Sequence, residues 1–273
     1  MLPNPIFWNI HMYGVMMALG ILAAFSVLSY YAKKQGVDEK FTDFVFFNGI
    51  GAIAAGLGSA ALFQAVYNYI EYPERGFKIT GNITFIGGLI GGVAFFLAVY
   101  FILRPRLTGR VTEILSIAPC CITVAHALGR IGCFFAGCCH GKPTDSFLGV
   151  KFPHLFYPVH PTQLYEAAFL FLLFGVCSYL LLKKKFQHNM SIYLVAYGIF
   201  RFFLEFLRGD SRGELVTGIS PSQFWSIGMV LVGVAIYFPL QKIFAAQKAT
   251  AESLEDAPAK EEASTESADE EQA

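Results

Sequence analysis

The sequence predicts an all-α, polytopic membrane protein with about seven transmembrane helices. Apolar residues make up 55% of its 273 residues and only 15% are charged, whereas soluble domains carry about 25% charged residues. Apolar stretches long enough to cross a membrane, about 20 residues each, recur along the chain, and short lysine or arginine clusters separate many of them. The formal net charge is zero, which argues against nucleic acid as a partner.

Seven stretches have the length and composition of a membrane-spanning helix. In chain order they cover roughly 10–32, 43–70, 82–103, 112–136, 162–182, 190–207 and 220–245. The first lacks the positively charged start and the cleavage site of a secretory signal peptide, so we expect it to be retained. The second and third are rich in glycine, and small residues allow helices to approach closely in lipid.

The charges between the spans predict their orientation. Lysine or arginine dominates the links after spans one, three and five, at Lys33, Lys34, Lys40, Arg104, Arg106, Arg110, Lys183, Lys184 and Lys185. The links after spans two and six mix both signs, at Glu71, Glu74, Arg75, Lys78, Arg208, Asp210, Arg212 and Glu214. Because positively charged links stay in the cytoplasm, we expect the N-terminus outside and the C-terminus inside.

The last segment of the chain, residues 247–273, has a different composition. It is acidic, rich in alanine and serine, and contains no aromatic residue. Such a segment cannot bury enough apolar surface to fold. We therefore expect a transmembrane domain over residues 1–246 and a disordered acidic cytoplasmic tail over 247–273, with a regulatory docking tail as the alternative.

Charged residues inside span six point to an internal pair or a functional site, because charge is costly within a membrane. Arg201 and Glu205 are four residues apart, so they share a helix face and can pair. Tyr197 lies one turn earlier and Arg208 one turn later. The pair is either a structural ion pair or a guanidinium held to bind an anionic lipid headgroup, which suits the planar fork of arginine.

The end of span four contains a second buried cation, Arg130, between Gly129 and Gly132. Glycine allows a backbone or a ligand to approach closely. His126 lies one turn earlier on the same face, and we expect it to be a packing histidine rather than a catalytic one.

The beginning of span five carries the polar sequence HPTQLYEA. Thr162 is in position to cap the helix, and Gln163 and Glu166 are expected to face the same cavity. Interfacial anchoring by Tyr165 is the alternative function of this stretch. In span three, Gly87 and Gly88 belong to a glycine-rich face that either packs against a helix or lines a lipid.

Five motifs in order resemble the bacterial phosphatidylglycerol–prolipoprotein diacylglyceryl transferase family: MYG, GGLIGG, GRIG, HPTQLYEA and YGIFRFFLEFLRGD. The similarity extends over roughly residues 5–240. It implies a multi-pass enzyme of the bacterial cytoplasmic (inner) membrane with its N-terminus outside. It implies transfer of a diacylglyceryl group from phosphatidylglycerol to the lipobox cysteine thiol of prolipoproteins. The implied partners are phosphatidylglycerol, prolipoprotein signal peptides and the lipid bilayer; we predict no cofactor and no metal.

The resemblance also implies a role for individual residues. The predicted catalytic residues are Arg130, Arg201, Glu205, His160 and His140. Of these, Glu205, His160 and His140 are the candidates for the general base. The predicted substrate-binding residues are Tyr13, Gly87, Gly88, Gly141, Gln163, Glu166, Tyr197 and Arg208.

Three positions depart from the family motifs. Ile86 stands where the family has histidine, Cys133 where it has asparagine and Cys138 where it has glutamate. Isoleucine cannot transfer a proton. The alternative function is therefore a re-purposed homologue that binds phospholipid, or that carries out thiol or metal chemistry through its cysteine-rich loop.

The end of span four and the loop after it hold Cys133, Cys138, Cys139 and His140 within eight residues. Four interpretations stay open: a zinc site, a disulfide between Cys133 and Cys138 at an oxidising outer face, reactive thiols activated by a nearby arginine, and plain packing.

Overall fold

The computed structural model describes residues 11–79, 84–209 and 218–270. The first predicted residues of spans one and three lie outside the described residues, as do the link charges Asp210, Arg212 and Glu214.

Helices dominate the described chain. They are α1 (Met12–Gln35), α2 (Glu39–Glu71), α3 (Phe85–Leu103), α4 (Val111–Ala136), α5 (Thr162–Lys184), α6 (Asn189–Leu204) and α7 (Pro221–Glu270). Short 3-10 turns follow α2, α3 and α6 at Pro73–Arg75, Arg104–Arg106 and Glu205–Leu207. Within the described residues, seven helices are long and apolar enough to cross a membrane, which confirms the predicted all-α, seven-span class.

The chain divides into two compact units, residues 25–117 and residues 1–24 with 118–273, and the boundary falls within α1 and within α4. We call the first the glycine-packed unit, because α2 and α3 pack through glycine. A Cβ on Gly56 would lie 2.9 Å from the carbonyl oxygen of Gly88. Ser59 donates a hydrogen bond of 2.8 Å to the carbonyl oxygen of Gly87. Gly87 and Gly88 therefore serve helix packing within this unit.

The start of α2 is fixed by Asp38, whose carboxylate accepts a hydrogen bond of 3.3 Å from the backbone N–H of Phe41. Thr108 donates a second hydrogen bond of 2.5 Å to the same carboxylate oxygen. The bond from Thr108 is the main reason why the pKa of Asp38 lies below its ordinary value. Asp38 thus joins the N-terminus of α2 to the loop before α4.

We call residues 1–24 and 118–273 the polar unit, because it contains the buried charges described below. Its α6 packs against both α5 and α7. Phe169 of α5 and Phe200 of α6 stack with their ring centroids 4.0 Å apart. Gly198 of α6 lies against α7, where a Cβ would come within 2.9 Å of the carbonyl oxygen of Ser226.

The membrane-spanning part of α7 is Pro221–Gln247, and the helix continues to Glu270. Alanine, glutamate and lysine, which occur in the segment beyond residue 247, favour helix even without an apolar face to bury. Disorder of the tail in solution stays a prediction.

Candidate functional site

Polar side chains gather at one end of the helices in the polar unit. Arg130 lies six residues before the end of α4, Glu166 is the fifth residue of α5, and Arg201 is the fourth residue from the end of α6. Ser222 is the second residue of α7. Because α4 and α6 end where α5 and α7 begin, these four polar side chains lie at the same level.

Glu166 is the centre of the first group of contacts, although only 1% of its surface is exposed. Its Oε1 lies 3.0 Å from Nε of Arg130 and 3.5 Å from Nε2 of His126. Tyr197 donates a hydrogen bond of 2.7 Å from its hydroxyl to the same oxygen. Among the described residues, Oε2 of Glu166 and Oε1 of Gln163 have no hydrogen-bond partner. Both oxygen atoms can therefore accept a hydrogen bond from a ligand.

A second group of contacts surrounds Arg201, of which 7% is exposed. Its Nη1 lies 2.6 Å from Oε2 of Glu205, which confirms the predicted pairing. Its Nη2 donates a hydrogen bond of 3.0 Å to Oγ of Ser222. Ser220 donates a hydrogen bond of 3.0 Å to Oε1 of Glu205, and Nε of Arg208 lies 4.0 Å from Oε2. Glu205 therefore holds two arginines in place.

The two groups together carry an excess of positive charge. Arg130, Arg201 and Arg208 contribute three positive charges, and Glu166 and Glu205 two negative ones, a net charge of +1. Arg130 and Arg201 both act electrostatically on Glu166. A buried net charge is costly unless it is compensated, so a cluster of this kind favours an anionic ligand.

The predicted cysteine-rich loop is a tight turn after α4. Gly137 and Cys139 both have positive φ angles, of 73° and 64°. The carbonyl oxygen of Cys138 accepts a hydrogen bond of 2.5 Å from Nε2 of Gln163, and that of Cys139 accepts one of 2.9 Å from Oγ1 of Thr162. Thr162 is thus a tether for this turn and not the predicted cap; it is the first helical residue, and the cap position falls on Pro161.

The three sulfur atoms of Cys133, Cys138 and Cys139 lie within 4.8 Å of one another. All six cysteines are free thiols, so the predicted alternative of a Cys133–Cys138 disulfide is not seen. A hydrogen bond from the Cys133 thiol is the main reason why the pKa of the Cys139 thiol lies well below its ordinary value, and Arg208 adds to this effect. Hydrogen bonding to Cys133 raises the pKa of Cys138.

After this turn, an isolated β-bridge connects the loop to the end of α6. Gly141 pairs with Arg208, and its N–H donates a hydrogen bond of 2.8 Å to the carbonyl oxygen of His160. A Cβ on Gly141 would fall 2.6 Å from the carbonyl oxygen of Leu207, so the two backbones can cross only at glycine. A ring nitrogen of His160 lies 3.2 Å from the Tyr165 hydroxyl, and the His140 ring packs on Phe152.

The remaining predicted site residues fall in different places. Tyr13 of α1 lies in the polar unit, with its ring 3.2 Å from the position of a Cβ on Gly132, and it is 43% exposed. Gly87 and Gly88 belong to the glycine-packed unit. Sequence reasoning missed Ser220 and Ser222, because PSQ at a helix start resembles an ordinary helix beginning.

The family model and the relatives that match this chain all point to one family. A family model described as prolipoprotein diacylglyceryl transferase matches residues 4–239. A phosphatidylglycerol–prolipoprotein diacylglyceryl transferase of Clostridium tetani (strain Massachusetts / E88) is 38% identical over 238 residues, which cover 84% of this chain and 92% of that protein. Transferase 2 of the same name from Clostridium perfringens (strain 13 / Type A) is 32% identical over 84% of this chain and 90% of its own. The Campylobacter curvus (strain 525.92) transferase is 31% identical over 86% and 91%.

Proposed function

Because the chain belongs to the prolipoprotein diacylglyceryl transferase family, we propose that it transfers the diacylglyceryl group of phosphatidylglycerol to the lipobox cysteine thiol of prolipoproteins. The observation that supports this most directly is the cluster of three arginines and two glutamates with a net positive charge, of which Glu166, Arg201 and Arg208 are buried and Arg130 and Glu205 partly buried. Phosphatidylglycerol carries one phosphate anion, and the planar fork of arginine binds phosphate oxygens in pairs.

The reaction that we propose is a displacement at the diacylglycerol carbon that carries the phosphate. The acceptor thiol loses its proton to a base and attacks this carbon as a thiolate, which is the nucleophilic form. A carbon–sulfur bond forms while the bond between carbon and phosphate oxygen breaks. Glycerol phosphate leaves with the electron pair of the broken bond.

The arginines have the central role in this proposal. Arg130 and Arg201 bind the phosphate and stabilise the charge that grows on the departing oxygen. Glu166 and Tyr197 position Arg130, and Glu205 with Ser222 positions Arg201. Arg208 contributes further positive charge beside Glu205.

Three residues are predicted candidates for the base. The Glu205 carboxylate is engaged by Arg201 and Ser220, which favours a positioning function. His140 and His160 remain, on either side of Gly141. We propose that one of them accepts the thiol proton.

We also propose an orientation in the bacterial inner membrane, with the N-terminus outside and the tail in the cytoplasm. The clusters of lysine and arginine support this. The ends of α4 and α6 and the starts of α5 and α7 then face outward, where a secreted prolipoprotein presents its cysteine. The alternative of a re-purposed homologue has no support, because the relatives above carry transferase names.

The test is transfer by the purified protein. Phosphatidylglycerol labelled in its acyl chains is incubated with a lipobox peptide and with the same peptide carrying serine in place of cysteine. Label is expected on the cysteine peptide alone, together with release of glycerol phosphate. Failure of this assay, and failure of the gene to support cells depleted of their own transferase, would refute the proposal.

A further inference from the structure

Three thiols converge where α4 ends, with Cys133 in its last turn and Cys138 and Cys139 in the turn that follows. Their sulfur atoms lie within 4.8 Å of one another, and each thiol interacts with both of the others. The three thiols therefore form one cluster. Cys138 is exposed, and Cys133 and Cys139 are partly buried.

The convergence depends on an unusual backbone. Side chains of neighbouring residues in an extended chain point in opposite directions, so Cys138 and Cys139 would normally diverge. The positive φ of Cys139 changes the direction of the chain between them. Glycine adopts this conformation most readily, yet a cysteine occupies it, and two hydrogen bonds from α5 hold the turn.

Three convergent thiolates are the ligands that soft metal ions prefer. Tetrahedral zinc, with bonds of about 2.3 Å to sulfur, places its sulfur ligands about 3.8 Å apart. The observed separations would need to shorten by about 1 Å at most to reach this value. Arg208 beside Cys139 offsets the negative charge of the thiolates.

In contrast to the prediction of no metal, we propose that Cys133, Cys138 and Cys139 bind one zinc ion, whose fourth coordination position is open and takes the acceptor thiol. Coordination to the ion would lower the pKa of the acceptor thiol. The thiol would then give its proton to the base and stay bound as a thiolate. After attack, the new thioether would leave the ion, since it is a weaker ligand than a thiolate. This second part rests on the proposed transfer reaction, whereas the metal site does not.

The position of the cluster agrees with such a role. Arg130 acts electrostatically on Cys133, and Arg208, which acts on Cys139, also lies 4.0 Å from Glu205. A thiolate held at the ion would therefore lie near Arg208 and near Arg130, one of the two arginines that we propose bind the phosphate.

The first experiment measures metal in the full-length protein purified in detergent without chelator. Mass spectrometry of the elements is expected to give about one zinc per chain. The triple variant Cys133→Ser, Cys138→Ser, Cys139→Ser is expected to contain none, whereas the control Cys177→Ser, a buried cysteine outside the cluster, keeps its zinc. A metal-free wild type, copper in place of zinc, equal zinc in the triple variant, or a disulfide within the cluster would each overturn the site.

The second experiment tests the open position with cobalt in place of zinc. Addition of the lipobox peptide is expected to strengthen the thiolate-to-cobalt absorption, and the serine peptide is not. This readout needs no turnover, so it separates failure of the metal proposal from failure of the transferase proposal. An unchanged spectrum, or full transfer by metal-free protein, would refute the role of the ion in binding the thiol.

Discussion

At the scale of single residues, the central feature is the connection of the two buried ion pairs to hydroxyl groups. Tyr197 donates to Glu166, and Ser220 and Ser222 contact Glu205 and Arg201. A buried charge is tolerated only when its partner and its hydrogen bonds are supplied. The carboxylates are therefore best interpreted as supports for the arginines.

Glu166→Gln is expected to reduce transfer about tenfold or more, equivalent to about 1.4 kcal/mol or more in the activation free energy. Glutamine keeps the size of the side chain but loses the charge that positions Arg130. The measurement is the transfer assay at equal protein concentration. Ser178→Ala, a buried change on the same helix, is the matched control. Equal activity of Glu166→Gln and wild type would contradict the positioning role.

Arg201→Ala is expected to abolish transfer, because it removes a phosphate-binding cation. It also leaves Glu205 without its partner, and breaking a buried pair costs about 3–5 kcal/mol of stability. Thermal unfolding in detergent must therefore be measured beside activity. Arg201→Lys keeps the charge and should restore stability more than activity, since lysine lacks the planar fork. A folded and fully active alanine variant would refute the role of Arg201.

At the scale of helices, the glycine-packed unit shows why the sequence alone cannot tell which glycines contact a neighbouring helix. Gly56 and Gly58 lie two residues apart on α2. A Cβ on Gly56 would press on the backbone of α3, whereas a Cβ on Gly58 has no heavy atom within 4 Å. Composition alone cannot separate the two, because the difference depends on which face α3 covers.

Gly56→Ala is therefore expected to destabilise the protein by about 1–3 kcal/mol, the usual cost of overpacking. Gly58→Ala should be neutral or stabilising by up to about 1 kcal/mol, because alanine is the better helix former. Unfolding curves of both variants in one detergent provide the comparison. Equal destabilisation by the two substitutions would show that α2 and α3 do not pack through Gly56.

Some of the site was predictable and some was not, for physical reasons. The Arg201–Glu205 pair follows from spacing within one helix, and the structure confirms it. The contact between Arg130 and Glu166 joins different helices, so periodicity could not reveal it. The tether from Thr162 was mistaken for a cap, because the same hydroxyl can serve either a helix N-terminus or a neighbouring turn.

At the scale of the whole molecule, seven spans imply that the two ends of the chain lie on opposite sides of the membrane. We expect a periplasmic reporter to be active when fused at the N-terminus, and a cytoplasmic one when fused near residue 250. Fusions in the link after α3, at its arginines, serve as a cytoplasmic control. The same side for both ends would refute the seven-span topology.

The clustering of Arg130, Glu166, Arg201 and Ser222 at one end of the helices has a consequence for the bilayer itself. A site at one level draws its donor lipid from a single leaflet. In the proposed reaction the two acyl chains remain in that leaflet, now attached to a protein, while one phosphate anion departs into the water. Each turnover would thus lower the surface charge of the leaflet without changing its acyl area. Sustained lipoprotein synthesis would then require fresh anionic lipid to cross from the opposite leaflet.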